Sequence, residues 1–184
     1  MTCCFIGHRR IEQTPELKEL LAQTICSLIE LGVTDFIFGD HSAFDTLCYG
    51  TISALQEKYP EIRRIHFRKD YQEISESERQ FFVKGYEDSI CPDGVASAGK
   101  ASYIERNQAM IRKSDYCVFY YDEHYQPPLR KESKHSVNLY QPKSGTRAAY
   151  EYALFQKKKV INLFGCSVTA VSYTHLTLPT KLEV

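Results

Sequence analysis

The chain has 184 residues and 23 basic against 23 acidic side chains, a formal net charge of zero. That length fits one ordinary domain with a sizeable core, and the missing basic excess disfavours nucleic acid as a partner and favours a small ligand. Seven cysteines, an odd number lying mostly in apolar segments (Cys3, Cys4, Cys26, Cys117) and without Cys-x-x-Cys spacing, read as small hydrophobes rather than disulfides or metal ligands.

In chain order, Thr2 to Ile6 is a short apolar run ending at Gly7, the pattern of a strand buried on both faces. Thr14 and Pro15 supply a cap and a first helical residue. Leu17, Leu21, Leu28 and Leu31 then keep helical spacing until Gly32. Asp35 to Phe38 is a second strand into Gly39, and Phe44, Leu47, Cys48, Ile52, Leu55 and Tyr59 predict a second helix ending before Pro60. Ile62 to Phe67 predicts a third strand. Ser75-x-x-Glu78 is a capping-box signature for a helix through about Gly85.

Cys91 to Ala101, with a proline, two glycines and several small residues, predicts a mobile connection able to serve as a flap. A helix over Tyr103 to Lys113 and a strand over Asp115 to Tyr121 follow. Asp122 to Lys143 is long for a connection and carries adjacent prolines and a basic group, Arg130, Lys131, Lys134, His135 and Lys143, suited either to steering anions or to a solvated loop. Thr146, Ala149, Tyr150, Ala153 and Leu154 form one helical stripe, and Val160 to Phe164 a last strand.

From Val168 the character changes, and Ser172 to Thr180 has neither helical nor clean alternating periodicity. This stretch resembles adapter read-through or a vector scar, with a genuine terminal strand and frayed tail as the alternative, so residues 167–184 are set apart as an atypical tail and 1–166 are taken as the domain. Neither a basic, apolar leader nor a bilayer-length apolar run occurs, so a cytoplasmic protein without a membrane partner is expected. A homo-oligomer is compatible with the sequence.

Alternating strands and helices with right-handed crossovers imply an α/β fold, a three-layer sandwich with a mainly parallel central sheet. Ligands of such sheets bind at the strand C-terminal ends near the switch point. That rule selects Gly7 to Arg9, Gly39 to Asp45, Asp122 and Ser144 to Thr146 as candidate site residues. Gly7-His8-Arg9 joins close backbone approach to cations, with Arg9 the best anion contact. Gly39 admits a ligand, and Asp45 either orients a ribose hydroxyl or caps the second helix. Tyr103, Arg106, Asn107 and Met110 share one helix face, so Arg106 and Asn107 reach the cleft or bond neighbouring carbonyls. Ser144-Gly145-Thr146 opens into a helix N-terminus, a second anion turn. Tyr120 and Tyr121 either stack a base or pack in the core.

These motifs, in the order Cys3 to Arg9, Phe36 to Gly39, Phe44-Asp45, Tyr103 to Asn107, Ser114-Asp115, Ser144 to Thr146 and Val160 to Leu163, resemble the SLOG superfamily. This Rossmann-like group contains Smf/DprA proteins and the "lonely guy" nucleotide hydrolases, and a short bacterial branch is the nearest resemblance. It implies a Rossmann-like sheet and a nucleotide site made by the first glycine turn and the late Gly-Thr turn, with no cofactor. Where superfamily members often pair glycines after the second strand, Gly39 is followed here by Asp40. The hydrolases carry a glutamate three residues after the threonine of the late turn; the matching residue here is Ala149, and Glu151 is rotated off that face. The resemblance therefore points to a sensor or accessory protein that binds a nucleotide or nucleotide-derived small molecule, with no catalytic residue assigned. The alternatives are an N-glycosidase or phosphoribohydrolase acting on a nucleoside monophosphate through Arg106 and one of Asp45, Asp122 or Glu151, and a DprA-like single-stranded DNA module.

Overall fold

The computed structural model describes residues 1–39, 42–69, 85–126 and 144–166. Its strands are β1 (Thr2–Gly7), β2 (Asp35–Phe38), β3 (Arg63–Phe67), β4 (Asp88–Ile90), β5 (Tyr116–Tyr120) and β6 (Lys159–Asn162). Its α-helices, among the described residues, are α1 (Pro15–Glu30), α2 (Ala43–Leu55), α3 (Ser102–Lys113) and α4 (Gly145–Phe155), with a 3₁₀ turn at Ala96–Ala101.

All six strands form one parallel sheet in the order β4-β3-β2-β1-β5-β6. The chain builds outward from β1 to β4, then crosses back to lay β5 against the other side of β1. Right-handed crossovers place the helices of the two directions on opposite faces. Alternation along β1 shows the result: Cys3 and Phe5 pack with α1 and α2, while Cys4 and Ile6 pack with α3 and α4. This is the expected Rossmann-like three-layer arrangement.

Local chemistry sets the helix limits. The Thr14 hydroxyl accepts the Leu17 N–H at 3.2 Å, and Pro15 occupies the first turn, where its missing N–H costs nothing. The helix ends in a Schellman motif: the amides of Gly32 and Val33 donate to Ile29 and Leu28, and Gly32 takes φ +90°. Val33 and Leu28 are both buried, the apolar contact that accompanies this motif. Leu31 is not part of the buried stripe as the spacing predicts. It is the C-cap, 47% exposed, and Leu20, Thr24 and Ile25 complete the core-facing side.

One expectation is corrected and one element is added. Cys91 to Ala101 is not a loose connection throughout: Val95 is fully buried and the 3₁₀ turn leads directly into α3. Gly94 (φ +80°) and Gly99 (φ +54°) let the chain wind tightly around that anchor. The short edge strand β4 is an addition, held to β3 where Arg64 meets Glu87 at 2.6 Å. Burial opposes charging Glu87, but the side-chain and backbone bonds from Arg64 outweigh it and hold the carboxyl at about 2. The capping box at Ser75, the basic group between Arg130 and Lys143, and the tail from residue 167 lie outside the described residues, as do Asp40 and His41.

Candidate functional site

The sheet reverses its direction of growth between β1 and β5, and the crevice at their C-terminal ends is where such sheets bind ligands. Gly7 pairs with Tyr120 in the register of these two strands, so the first glycine turn and the tyrosine-rich strand end leave the sheet side by side. From the far end of the sequence, the Thr146 hydroxyl donates to the Gly7 carbonyl at 3.0 Å. Two turns 139 residues apart therefore touch. Thr146 is itself buried, and the bond is partly shielded from water.

His8 follows Gly7 and is only 2% exposed. Its Nε2 accepts the Asp122 amide at 2.9 Å, and its ring lies 3.9 Å from that of Tyr125, nearly parallel at 18°. Burial pushes its pKa below the ordinary 6.5, outweighing the upward pull of the Asp122 carboxylate. An amide donated to Nε2 needs that nitrogen's lone pair, so the ring is neutral with its proton on Nδ1. Nδ1 is buried without a hydrogen-bond partner among the described residues. Because the unfolded chain takes up a proton that the folded chain resists, His8 contributes stability above pH 6.5 and loses it as pH falls through the lower folded value. Between about pH 7 and about pH 5 the urea midpoint of the wild type is expected to drop more steeply than that of His8→Gln. Parallel slopes would contradict this account of His8.

The three glycines expected to admit a ligand differ. A Cβ on Gly7 would lie 2.5 Å from the Phe44 ring, and one on Gly39 would lie 2.7 Å from Nη2 of Arg106. Both spaces are filled from within, by α2 and by α3. At Gly145 a Cβ would meet nothing within 4 Å among the described residues. Ser144 caps that helix, its hydroxyl accepting the Arg147 amide at 3.1 Å.

Arg106 is buried, and its Nε and Nη2 donate to Asn107 Oδ1 at 3.3 and 3.0 Å. Its guanidinium also sits 5.6 Å from the Tyr103 ring centroid. The face shared by Tyr103, Arg106, Asn107 and Met110 is thus split: Met110 enters the core, while Arg106 and Asn107 meet over Gly39. Asp45 forms a capping box with Ser42, accepting the Ser42 amide at 3.1 Å while its own amide donates to the Ser42 hydroxyl at 3.0 Å. Arg9 is exposed, and its carbonyl accepts the Ala43 amide at 3.1 Å, tying the first turn to the start of α2.

The tyrosines of the strand end are engaged within the protein. Tyr121 stacks on Tyr150 at 4.6 Å, and Tyr120 meets Phe164 edge-on at 5.5 Å. Asn162 clamps Tyr121 by both main-chain groups: Oδ1 accepts its amide and Nδ2 donates to its carbonyl, each at 2.9 Å. Sequence reasoning passed over Asn162 and Tyr125. A polar residue within the apolar run Val160-Ile161-Asn162-Leu163 is the signal that could have found the first. Nothing local marked the second.

A parallel sheet with helices on both faces and a crevice at its switch point defines a Rossmann-like α/β protein of the kind that binds ligands at strand ends. The YspA SLOG family model matches residues 7–153, from the first glycine turn into α4, and the chain belongs to this family. No curated protein matches the sequence. Membership of the family suggests nucleotide-related binding or processing. Among the described residues no helix is long and apolar enough to cross a membrane.

Proposed function

We propose that the crevice at the C-terminal ends of β1, β2 and β5 binds a nucleotide or nucleotide-derived small molecule, as a sensor or accessory protein. The observation that carries this reading is the Thr146 to Gly7 hydrogen bond, which sets the first turn of α4 against the turn bearing His8 and Arg9. The first amides of a helix have no partner within it, and with the helix dipole they suit a phosphate. Among the described residues Gly145 leaves room for one there, and exposed Arg9 supplies a mobile cation nearby. Arg106, Asn107, Gly39 and Asp45 form the wall toward β2.

Binding is favoured over hydrolysis. Ala149, at the position of the glutamate in the similar hydrolases, is 3% exposed and packs in the core with Ala153. Glu151 pairs with Arg147 at 2.9 Å on the outer face of α4, and the Asp122 carboxylate accepts the His124 amide at 2.8 Å.

A panel of nucleoside mono-, di- and triphosphates is expected to contain at least one that raises the melting temperature. A ligand at about 100 times its Kd adds about 2.7 kcal/mol of stability. Arg9→Ala is expected to lose most of that gain while melting at the wild-type temperature without ligand. No shift across the whole panel would remove the nucleotide reading.

A further inference from the structure

We infer that Tyr125 is a stacking platform for a planar heteroaromatic base, so that the ligand of this crevice is recognised through its base as well as its phosphate. This inference rests on the nucleotide reading above. It starts from how the aromatic side chains around the switch point are used. Tyr120 and Tyr121 are committed to Phe164 and Tyr150. His8 is shut away from solvent beneath Tyr125. Tyr125 is half-buried, with one ring face laid on His8, and among the described residues no second ring stacks on it.

The platform is built before any ligand arrives. The Tyr125 amide donates to the Asp122 carbonyl at 3.2 Å, and the His124 amide donates to the Asp122 carboxylate at 2.8 Å. The Asp122 amide donates in turn to His8 at 2.9 Å. The residue before Asp122 is the one clamped by Asn162. Each bond fixes the turn that aims the Tyr125 ring, so little conformational freedom is lost when a base stacks on it. The turn also lies beside α4, since Tyr121 stacks on Tyr150 of that helix and Thr146 in its first turn bonds the Gly7 carbonyl next to His8. Base platform and helix N-terminus therefore belong to one crevice.

Stacking tolerates any base because every base presents a π-face. Tyr125 sets a requirement for a base without choosing which. The test compares AMP, GMP, CMP and UMP with ribose 5-phosphate by calorimetry on the full chain. The wild type is expected to bind at least one mononucleotide about tenfold or more tightly than ribose 5-phosphate. Tyr125→Ala is expected to remove that difference by weakening the mononucleotide alone, and Tyr125→Phe to keep it. Equal binding of mononucleotide and ribose 5-phosphate by the wild type would overturn the platform and leave the nucleotide reading standing. Unchanged or tighter mononucleotide binding by Tyr125→Ala would also overturn it, the latter by making Tyr125 a plug. Binding of neither ligand class would overturn the platform, and the nucleotide reading would then fall only if the di- and triphosphates of the wider panel also failed to bind.

Discussion

Gly7→Ala is expected to destabilise the protein by about 3 kcal/mol, the upper part of the range for overpacking a filled core. For a chain of this size that is a fall of roughly 6–12 °C in melting temperature. The new methyl would sit 2.5 Å from the ring of Phe44 and 2.6 Å from its Cβ. The second distance decides the character of the change. Shortening Phe44 removes the ring but leaves its Cβ, so Gly7→Ala with Phe44→Leu should recover only part of the loss. The remaining strain falls on the backbone of α2, which has to draw back from β1. That shift pulls at the Arg9 carbonyl bonded to Ala43 and at the Gly7 carbonyl bonded to Thr146, so ligand binding should weaken as well. Thermal denaturation of the single and double variants measures this. A single variant that melts within about 1 °C of wild type would show that α2 yields freely, against the close packing expected of a protein interior.

Asn162→Ala should cost about 2–3 kcal/mol. Its side chain makes two hydrogen bonds to the main chain of Tyr121, and removing it leaves an amide and a carbonyl there to find new partners. Asn162→Asp separates the two bonds, because a carboxylate accepts the amide but has no donor for the carbonyl. It should fall between wild type and Asn162→Ala. Equilibrium urea unfolding of the three chains orders them. The ordering fails if alanine and wild type coincide, which would mean that water replaces the clamp without cost. Because the Tyr121 clamp adjoins the turn carrying Tyr125, the same variants should also weaken mononucleotide binding.

Much of the architecture is legible in the sequence because a parallel sheet covered on both faces hides its strands completely. Cys3 to Ile6, Phe36 to Phe38 and Tyr116 to Phe119 are buried and read as uninterrupted apolar runs. Thr14, Pro15 and Gly32 punctuate α1 by local chemistry alone. β4 escapes such reading: Asp88-Ser89-Ile90 has no apolar run, and its extended state comes from pairing with β3 and from Arg64. The same division holds for the site. Position was legible, since strand ends are where a sheet of this kind exposes its loops, and Gly7, Gly39, Asp45 and Thr146 all stand there. Roles were not, because they depend on which side chains meet in space. Phe44 fills the space at Gly7, Arg106 fills that at Gly39, and Ser42 draws Asp45 into a cap. Glycine before a loop announces a missing side chain without saying what takes its place.

The bond from Thr146 to Gly7 also orders events in time. β1 leaves the ribosome more than a hundred residues before its neighbour β5 and the helix that closes its turn. During synthesis the outward half of the sheet, β1 to β4, has its own strand partners early, whereas the crevice has only one wall until α4 emerges. Long-range pairing of this kind is the slow part of folding. The crevice is thus completed only once α4 has been made, and a chain interrupted before that helix carries the first turn without its second wall.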